Sequence, residues 1–224
     1  MSFQRARKAE QIQERRQEIL DAAWDLFVEG GLEMVTFSTI AKKISFTRQT
    51  IYTYYRSREE VLLDLLGVHV RIFYEHVKYM FPKDKYVTQH EFCQRLTTHL
   101  LTHKKMLLLF SLHITLEQNA RYENILEFKR VMYEAFPTFC DILREQCPGE
   151  KDEAFCHFCI TIMIYISSIY PLIDQTPLQM KALREAVGGV ELPSVEETVM
   201  SSLLLMTASF HFTGDALAGT SEQN

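Results

Sequence analysis

The stretch Thr36-Phe37-Ser38-Thr39-Ile40-Ala41-Lys42-Lys43-Ile44-Ser45-Phe46-Thr47-Arg48-Gln49-Thr50-Ile51-Tyr52-Thr53-Tyr54-Tyr55-Arg56-Ser57-Arg58-Glu59-Glu60-Val61-Leu62 decides the fold of this 224-residue chain. Thr36 is a cap for a short helix with Ile40, Ala41 and Ile44 on its inner face, because a threonine hydroxyl accepts from the orphan N–H groups of a first turn. Ser45-Phe46 makes a turn. Thr47 caps a second short helix from Arg48 to about Tyr55, in which Ile51 and Tyr55 face inward while Arg48, Gln49, Tyr52 and Thr53 project outward. Ser57-Arg58-Glu59-Glu60 fits a capping box, so a further helix starts at once and carries Val61, Leu62, Leu65 and Leu66.

Two short helices joined by a tight turn, the second exposing Arg, Gln, Thr and Tyr, form the pattern of a DNA-binding helix-turn-helix. A helix fits the major groove, where Arg bonds guanine O6 and N7, Gln bonds adenine N6 and N7, and Thr offers a hydroxyl and a methyl to thymine. Tyr hydroxyls suit phosphates. The charge pattern agrees: residues 34–58 hold five basic side chains (Lys42, Lys43, Arg48, Arg56 and Arg58) and no acidic one. The rest of the chain is acidic, with five basic and seven acidic residues over 1–33, 14 basic and 22 acidic over 59–224, and a net charge of -5. A small basic segment favours a polyanion by counterion release, while an acidic remainder discourages indiscriminate binding.

Upstream, Ile12, Ile19, Ala23, Leu26 and Phe27 recur at helical spacing before Gly30-Gly31, which predicts a helix over about 10–29. Beyond Phe81-Pro82 the periodicity predicts helices over about 88–102, 104–119, 122–147, 150–174, 177–187 and 194–213, and no strand. Eight Gly and six Pro are too few for the turns of an all-β sandwich of this length. The expected fold class is all-α, with a helix-turn-helix domain over 1–58 and a helical bundle over 59–224. Met1 to Arg16 is charged throughout, unlike a secretory signal, and five scattered cysteines suit reduced thiols. The longest apolar run, Phe158 to Ile173, is 16 residues interrupted by Thr161, Ser167, Ser168 and Pro171, short of a membrane span. A cytoplasmic protein without membrane contact is expected.

The quoted stretch resembles the TetR family of bacterial transcriptional repressors. The resemblance is carried by Ile40-Ala41, the turn, Thr50-Ile51-Tyr52, the aromatic pair before Arg56, and Ser57-Arg58-Glu59-Glu60 opening the connecting helix. It covers roughly the first third of the chain; the remainder is similar only in being helical. It implies that Thr36, Tyr52 and Arg58 grip phosphates, and that Thr47, Arg48, Gln49, Thr53 and Tyr54 read or bracket bases, with Thr50 inside the same element. Two positions depart from the family pattern. Ser45 stands where a turn glycine is usual, so either Ser tolerates that backbone at some cost or the turn differs. Gln49 stands where a small residue is common, which moves readout toward adenine or alters how deeply the helix sits.

In the body, Phe155 to Ile173 is apolar nearly all round, so one face packs internally while another must meet something else. Val199, Leu203, Met206 and Phe210, with Leu204 and Leu205 beside them, make the last long helix similarly apolar. Helices near 155–173 and 194–213 are therefore expected to form a two-fold homodimer interface, as the resemblance also implies; the bland alternative is that both are core helices. The resemblance further implies a small-molecule effector pocket. Polar groups set among apolar neighbours suggest Phe110, His113, Glu117, Tyr133 and Tyr165 as its lining.

Other constellations are weaker. His99 and His103 are four apart on a helix, a spacing that suits one metal, but a polar helix face is the plainer reading and no metal is expected. Cys156-His157-Phe158-Cys159 is a single CxxC in an apolar helix, read as buried structural thiols. No nucleophile triad, phosphate loop or carboxylate pair argues for an enzyme, and no cofactor is implied. The combined reading is a DNA-binding, ligand-responsive repressor that binds a palindromic operator as a homodimer. The alternatives are a protein of the same fold acting through a protein partner, and a helical enzyme; the Thr50-Ile51-Tyr52 element and the acid-free basic segment favour DNA over both.

Overall fold

The computed structural model describes residues 2–221, with side chains over 10–219. Its elements in order are α1 (Ser2–Gly30), a 3-10 turn (Leu32–Met34), α2 (Phe37–Ile40), α3 (Arg48–Ile51), α4 (Arg58–Met80), α5 (Gln89–Thr102), α6 (Lys104–Ser111), α7 (His113–Gln118), α8 (Tyr122–Glu134), α9 (Phe136–Gln146), α10 (Asp152–Ile173), α11 (Pro177–Ala186), α12 (Val195–Met206) and α13 (Thr213–Ser221). There is no strand among the described residues.

Several helices depart from the periodicity. α1 begins at Ser2, well before the first apolar repeat, because a run rich in Arg, Lys, Gln and Glu sustains a helix without an apolar face. The helix expected over 104–119 breaks at Leu112 into α6 and α7. The helix expected over 122–147 breaks at Ala135: Pro137 has no N–H to return to the turn before it and instead sits in the first turn of α9. The last expected helix stops at Met206, and α13 begins only at Thr213.

The described chain packs as two compact units. The first is Met1–His69 with Leu112–Val131, and the second is Val70–Ser111 with Met132–Asn224. This packing differs from a cut at residue 58, because α4 is continuous and its first half supplies Val61, Leu62, Leu65 and Leu66 to the core that buries Ile19, Phe27, Ile40, Ile51 and Tyr55. In that unit α1 packs on the 3-10 turn and on α2, and α2 on α3. Gly31, just past the end of α1, takes φ 77° and ψ -168°, a positive-φ extended conformation that is essentially open to glycine alone.

The second unit is organised by α10, which packs on α6, α9 and α12, while α12 packs on α5. Phe73, Phe92, Phe139, Phe155 and Phe158 are all buried there. The loop before α5 is held by Gln146, which accepts from Val87 N–H at 2.9 Å and donates to Lys85 O at 2.9 Å. Gly214 is required at the start of α13, since a Cβ there would lie 2.2 Å from the Val87 carbonyl carbon. At 22 residues, α10 is long and apolar enough to cross a bilayer by length and composition, beyond the 16-residue run read from sequence; its contacts with three helices give its inner face another partner.

Candidate nucleic-acid interface

Both threonine caps form. Thr36 accepts from Thr39 N–H at 3.1 Å, Thr39 returns a bond to Thr36 N–H at 3.0 Å, and Thr47 accepts from Thr50 N–H at 3.4 Å. Each fixes the start of a helix only four residues long, too short to persist on propensity alone. Packing supplies the rest: Phe37, Ile40, Ile51 and Tyr55 are buried, while Arg48, Gln49, Tyr52 and Thr53 are exposed, on the faces expected. The Tyr52 ring lies edge-on to Phe37 at 4.9 Å, and its hydroxyl accepts from Arg48 at 2.9 Å, which orders the outer face of α3. Thr53 donates to Thr50 O at 2.7 Å, Thr47 and Thr50 hydroxyls meet at 3.2 Å, and the half-buried Tyr54 ring tilts over Phe46 at 6.5 Å. Arg58 opens α4 half-exposed, 3.5 Å from Glu59.

Ser45 keeps its place without left-handed strain, since Asp84 is the one non-glycine residue at positive φ among those described. Its N–H and hydroxyl both donate to the Glu18 carboxylate, at 2.5 and 3.2 Å. The turn therefore differs from one that needs glycine. Glu14, Glu18, Asp21 and Asp25 line an open cleft of about 710 Å³ with Lys43, so this face of α1 repels phosphate and leaves the α3 face as the one suited to a polyanion.

The seating of α3 also depends on a residue pair that the sequence does not announce. Glu60, 1% exposed, takes a two-pronged bond from Arg121: Nε to Oε1 at 2.6 Å and Nη2 to Oε2 at 2.7 Å. The same carboxylate accepts from Arg121 N–H and Arg56 N–H, and Arg121 also donates to Tyr54 O at 2.9 Å. Ser57 still caps Glu60 N–H, at 3.2 Å, but the box is incomplete because the Glu60 side chain is engaged by Arg56 and Arg121. Burial alone would raise the Glu60 pKa; the bonds from Arg121 and Arg56 outweigh it and hold the carboxyl below its usual range. A second anchor lies beneath α3, where the buried Tyr55 hydroxyl donates to Asp64 at 2.8 Å and Arg16 pairs with the same carboxylate.

Residues 19–65 match the profile described as "Bacterial regulatory proteins, tetR family", and residues 69–208 match "Tetracyclin repressor-like, C-terminal domain", more than half of the chain. The chain belongs to the tetR family of bacterial regulatory proteins. Over 63 residues, 28% of its length, it is 40% identical to the HTH-type transcriptional regulator SrpR of Pseudomonas putida, spanning 30% of that relative. It is likewise 40% identical over 63 residues to the HTH-type transcriptional regulator TtgW, also of Pseudomonas putida, spanning 47% of it. In fold it is similar to a transcriptional regulator from Saccharomonospora viridis solved in complex with choline, with a TM-score of 0.54, 15% identity, and 88% and 97% of the two chains covered.

Of the five residues expected to line an effector pocket in this regulator, Phe110, Tyr133 and Tyr165 belong to the second unit and His113 and Glu117 to the first. Phe110 is buried against a small apolar gap of about 10 Å³, beside Phe73, Tyr74 and Met106. Tyr165 is half-buried in the same unit, and its hydroxyl is buried with no hydrogen-bond partner. Tyr133 is 58% exposed and edge-on to Phe136 at 5.1 Å. His113 and Glu117 lie on α7 in the other unit, where Glu117 pairs with Lys129 at 2.6 Å.

On α10 the inner face is Phe155, Phe158, Ile162, Ile166 and Ile169, and the outer face is Ile160, Ile164 and Leu172. On α12, Val199 and Leu203 are core, whereas Leu205 is 78% exposed. Cys156 is exposed, contrary to the expectation of a buried thiol, while Cys159 is buried with its sulfur 3.8 Å from that of Cys140. His99 and His103 do not form a plain polar face either, since His76 from α4 joins them.

Proposed function

We propose that this regulator is a DNA-binding transcriptional repressor of the cytoplasm, which docks α3 in the major groove of a palindromic operator as a homodimer and is released by a small molecule. The observation that carries the reading is the outer face of α3: Arg48, Gln49 and Thr53 stand exposed around an ordered Tyr52, in a segment with no acidic residue from 34 to 58. Arg48, Gln49 and Thr53 read bases, Thr47, Thr50 and Tyr54 bracket them, and Thr36, Tyr52 and Arg58 hold phosphates. In functional terms residues 1–58 are the reading head and 59–224 the effector-binding and dimerisation body. The regulator acts by binding, not catalysis.

The dimer reading is supported by Ile164, 64% exposed, and Leu205, with Ile160 and Leu172 beside Ile164: large apolar groups of this kind on two helices that pack together suit a self-complementary surface. Ile166 and Leu203 belong to the core instead, and a charge there would test stability rather than assembly. The proposed effector chamber lies within the second unit, around Phe110 and the orphan Tyr165 hydroxyl. The choline held by the Saccharomonospora viridis relative supports a small organic ligand in a body of this fold.

Selection from random duplexes tests the reading. The enriched sequence is expected to be a palindrome with half-sites one or more DNA turns apart. Arg48→Ala should lose about 1–3 kcal/mol at one base position, whereas Arg58→Ala should weaken all sequences and lower the salt slope by about 1. Failure to enrich any sequence rejects it. Leu205→Asp should convert a sedimenting dimer to a helical monomer.

A further inference from the structure

His76 projects from the second half of α4 into solvent, and His99 and His103 lie at the C-terminal end of α5, within the same compact unit. One ring nitrogen of each lies within 4.8 Å of one from each of the other two. We propose that these three imidazoles form a binding site for a divalent transition metal of the zinc class, joining α4 to the end of α5.

The geometry of the hydrogen bonds supports this. His99 Nε2 lies 3.1 Å from Phe73 O, and His103 Nδ1 lies 2.8 Å from His99 O. A carbonyl oxygen only accepts, so each of these nitrogens carries the proton and the other nitrogen of each neutral ring keeps a lone pair. Ring N–H groups tied to backbone carbonyls are the outer-sphere arrangement that fixes tautomer and orientation in metal-binding histidines. Thr102 reinforces it by donating to the same His99 O at 2.7 Å and meeting His103 Nδ1 at 3.1 Å. Phe73 closes one side, stacked on His99 at 4.5 Å and perpendicular to His103 at 5.4 Å. His76 is exposed and supplies the entry side.

The donor set selects the metal. Three imidazoles with neither thiolate nor carboxylate suit zinc, copper or nickel and not magnesium or calcium. Tetrahedral zinc–nitrogen bonds of about 2.0–2.1 Å need nitrogens roughly 3.4 Å apart, so three nitrogens that lie within 4.8 Å of one another must draw together to close on the ion, and the exposed His76 side chain is free to contribute to that movement. Three protein ligands leave a fourth position for water or for an exogenous donor.

The test is a cobalt(II) titration of the whole chain after chelator treatment, followed by displacement with zinc and competition against a chromogenic chelator. The expected result is one metal per chain, visible ligand-field bands without a sulfur charge-transfer band, and at least a tenfold loss of zinc affinity in His76→Ala, whose exposed side chain can be removed without disturbing helicity. His103→Gln should lose affinity similarly, and pairing both changes should add little further. Absence of zinc binding to the unaltered chain, unchanged affinity in His76→Ala, or a cobalt–thiolate band marking the Cys140, Cys156 and Cys159 region as the binder would each overturn the proposal.

Discussion

In residues 36–58 the positions of side chains are set over short distances by polar bonds: two threonines start the helices, Arg48 holds Tyr52, and Thr53 returns to Thr50. In the body the organising contacts are between rings far apart in sequence. Phe92 meets Phe81 at 4.7 Å and Phe212 at 5.3 Å, and Phe158 meets Phe210 at 5.9 Å. A local polar network can present a surface without a large core beneath it, whereas a ring cluster stabilises a core and leaves its outer face to other demands. The first region therefore presents an ordered polar surface, and the second holds its shape through a buried ring cluster.

The largest test of this contrast is Phe92→Ala. Its ring is fully buried, and its removal should cost about 3–5 kcal/mol in urea unfolding, with the α3 face retained in whatever fraction stays folded. A loss under about 1 kcal/mol would mean that the ring cluster does not organise the body.

Next comes Glu60→Gln. It leaves the guanidinium of Arg121 without its counter-charge, and because Arg121 is partly exposed the expected loss is about 2–3 kcal/mol. The pH dependence has a definite sign. A carboxyl whose pKa is depressed on folding contributes stability above its unfolded pKa, and that contribution is lost as pH falls through the folded value. The gap in stability between the unaltered protein and Glu60→Gln should thus be full at pH 7 and shrink below the usual carboxylate range; a gap independent of pH would remove the ion pair from the account.

The smallest effect is expected at the cap. Thr47→Ala should cost about 1 kcal/mol of stability and restore little on lowering salt, since it removes a hydrogen bond rather than a charge. Comparison with Thr47→Ser sharpens it, because serine keeps the acceptor.

What the sequence disclosed follows the same division. Caps, turn and outward side chains of α2 and α3 were legible because each depends on residues within four positions. Arg121 was not, since it reaches Glu60 across 61 positions and nothing near either residue marks the other. His76 likewise joins His99 and His103 only after α4 packs beside α5 in the fold. The apolar circumference of α10 left open which face is buried, so Ile166 and Ile164 are indistinguishable until α6, α9 and α12 are in place. The break at Ala135 had a signal in Pro137 that helical periodicity overrode. For the five residues assigned to the effector, a polar group among apolar neighbours marks an interruption in a face but not which interruptions converge.

The Glu60–Arg121 pair also constrains how this chain can diverge. Neither partner can be replaced alone without leaving a charge beside the seat of α3, so the two positions are expected to vary together in descendants. They cannot trade places. Arg56 N–H and Arg121 N–H both point at the Glu60 carboxylate, and a guanidinium at position 60 would face two donors with nothing to accept them. The polarity of the bridge, acid at position 60 and base at position 121, is therefore fixed by the backbone around it.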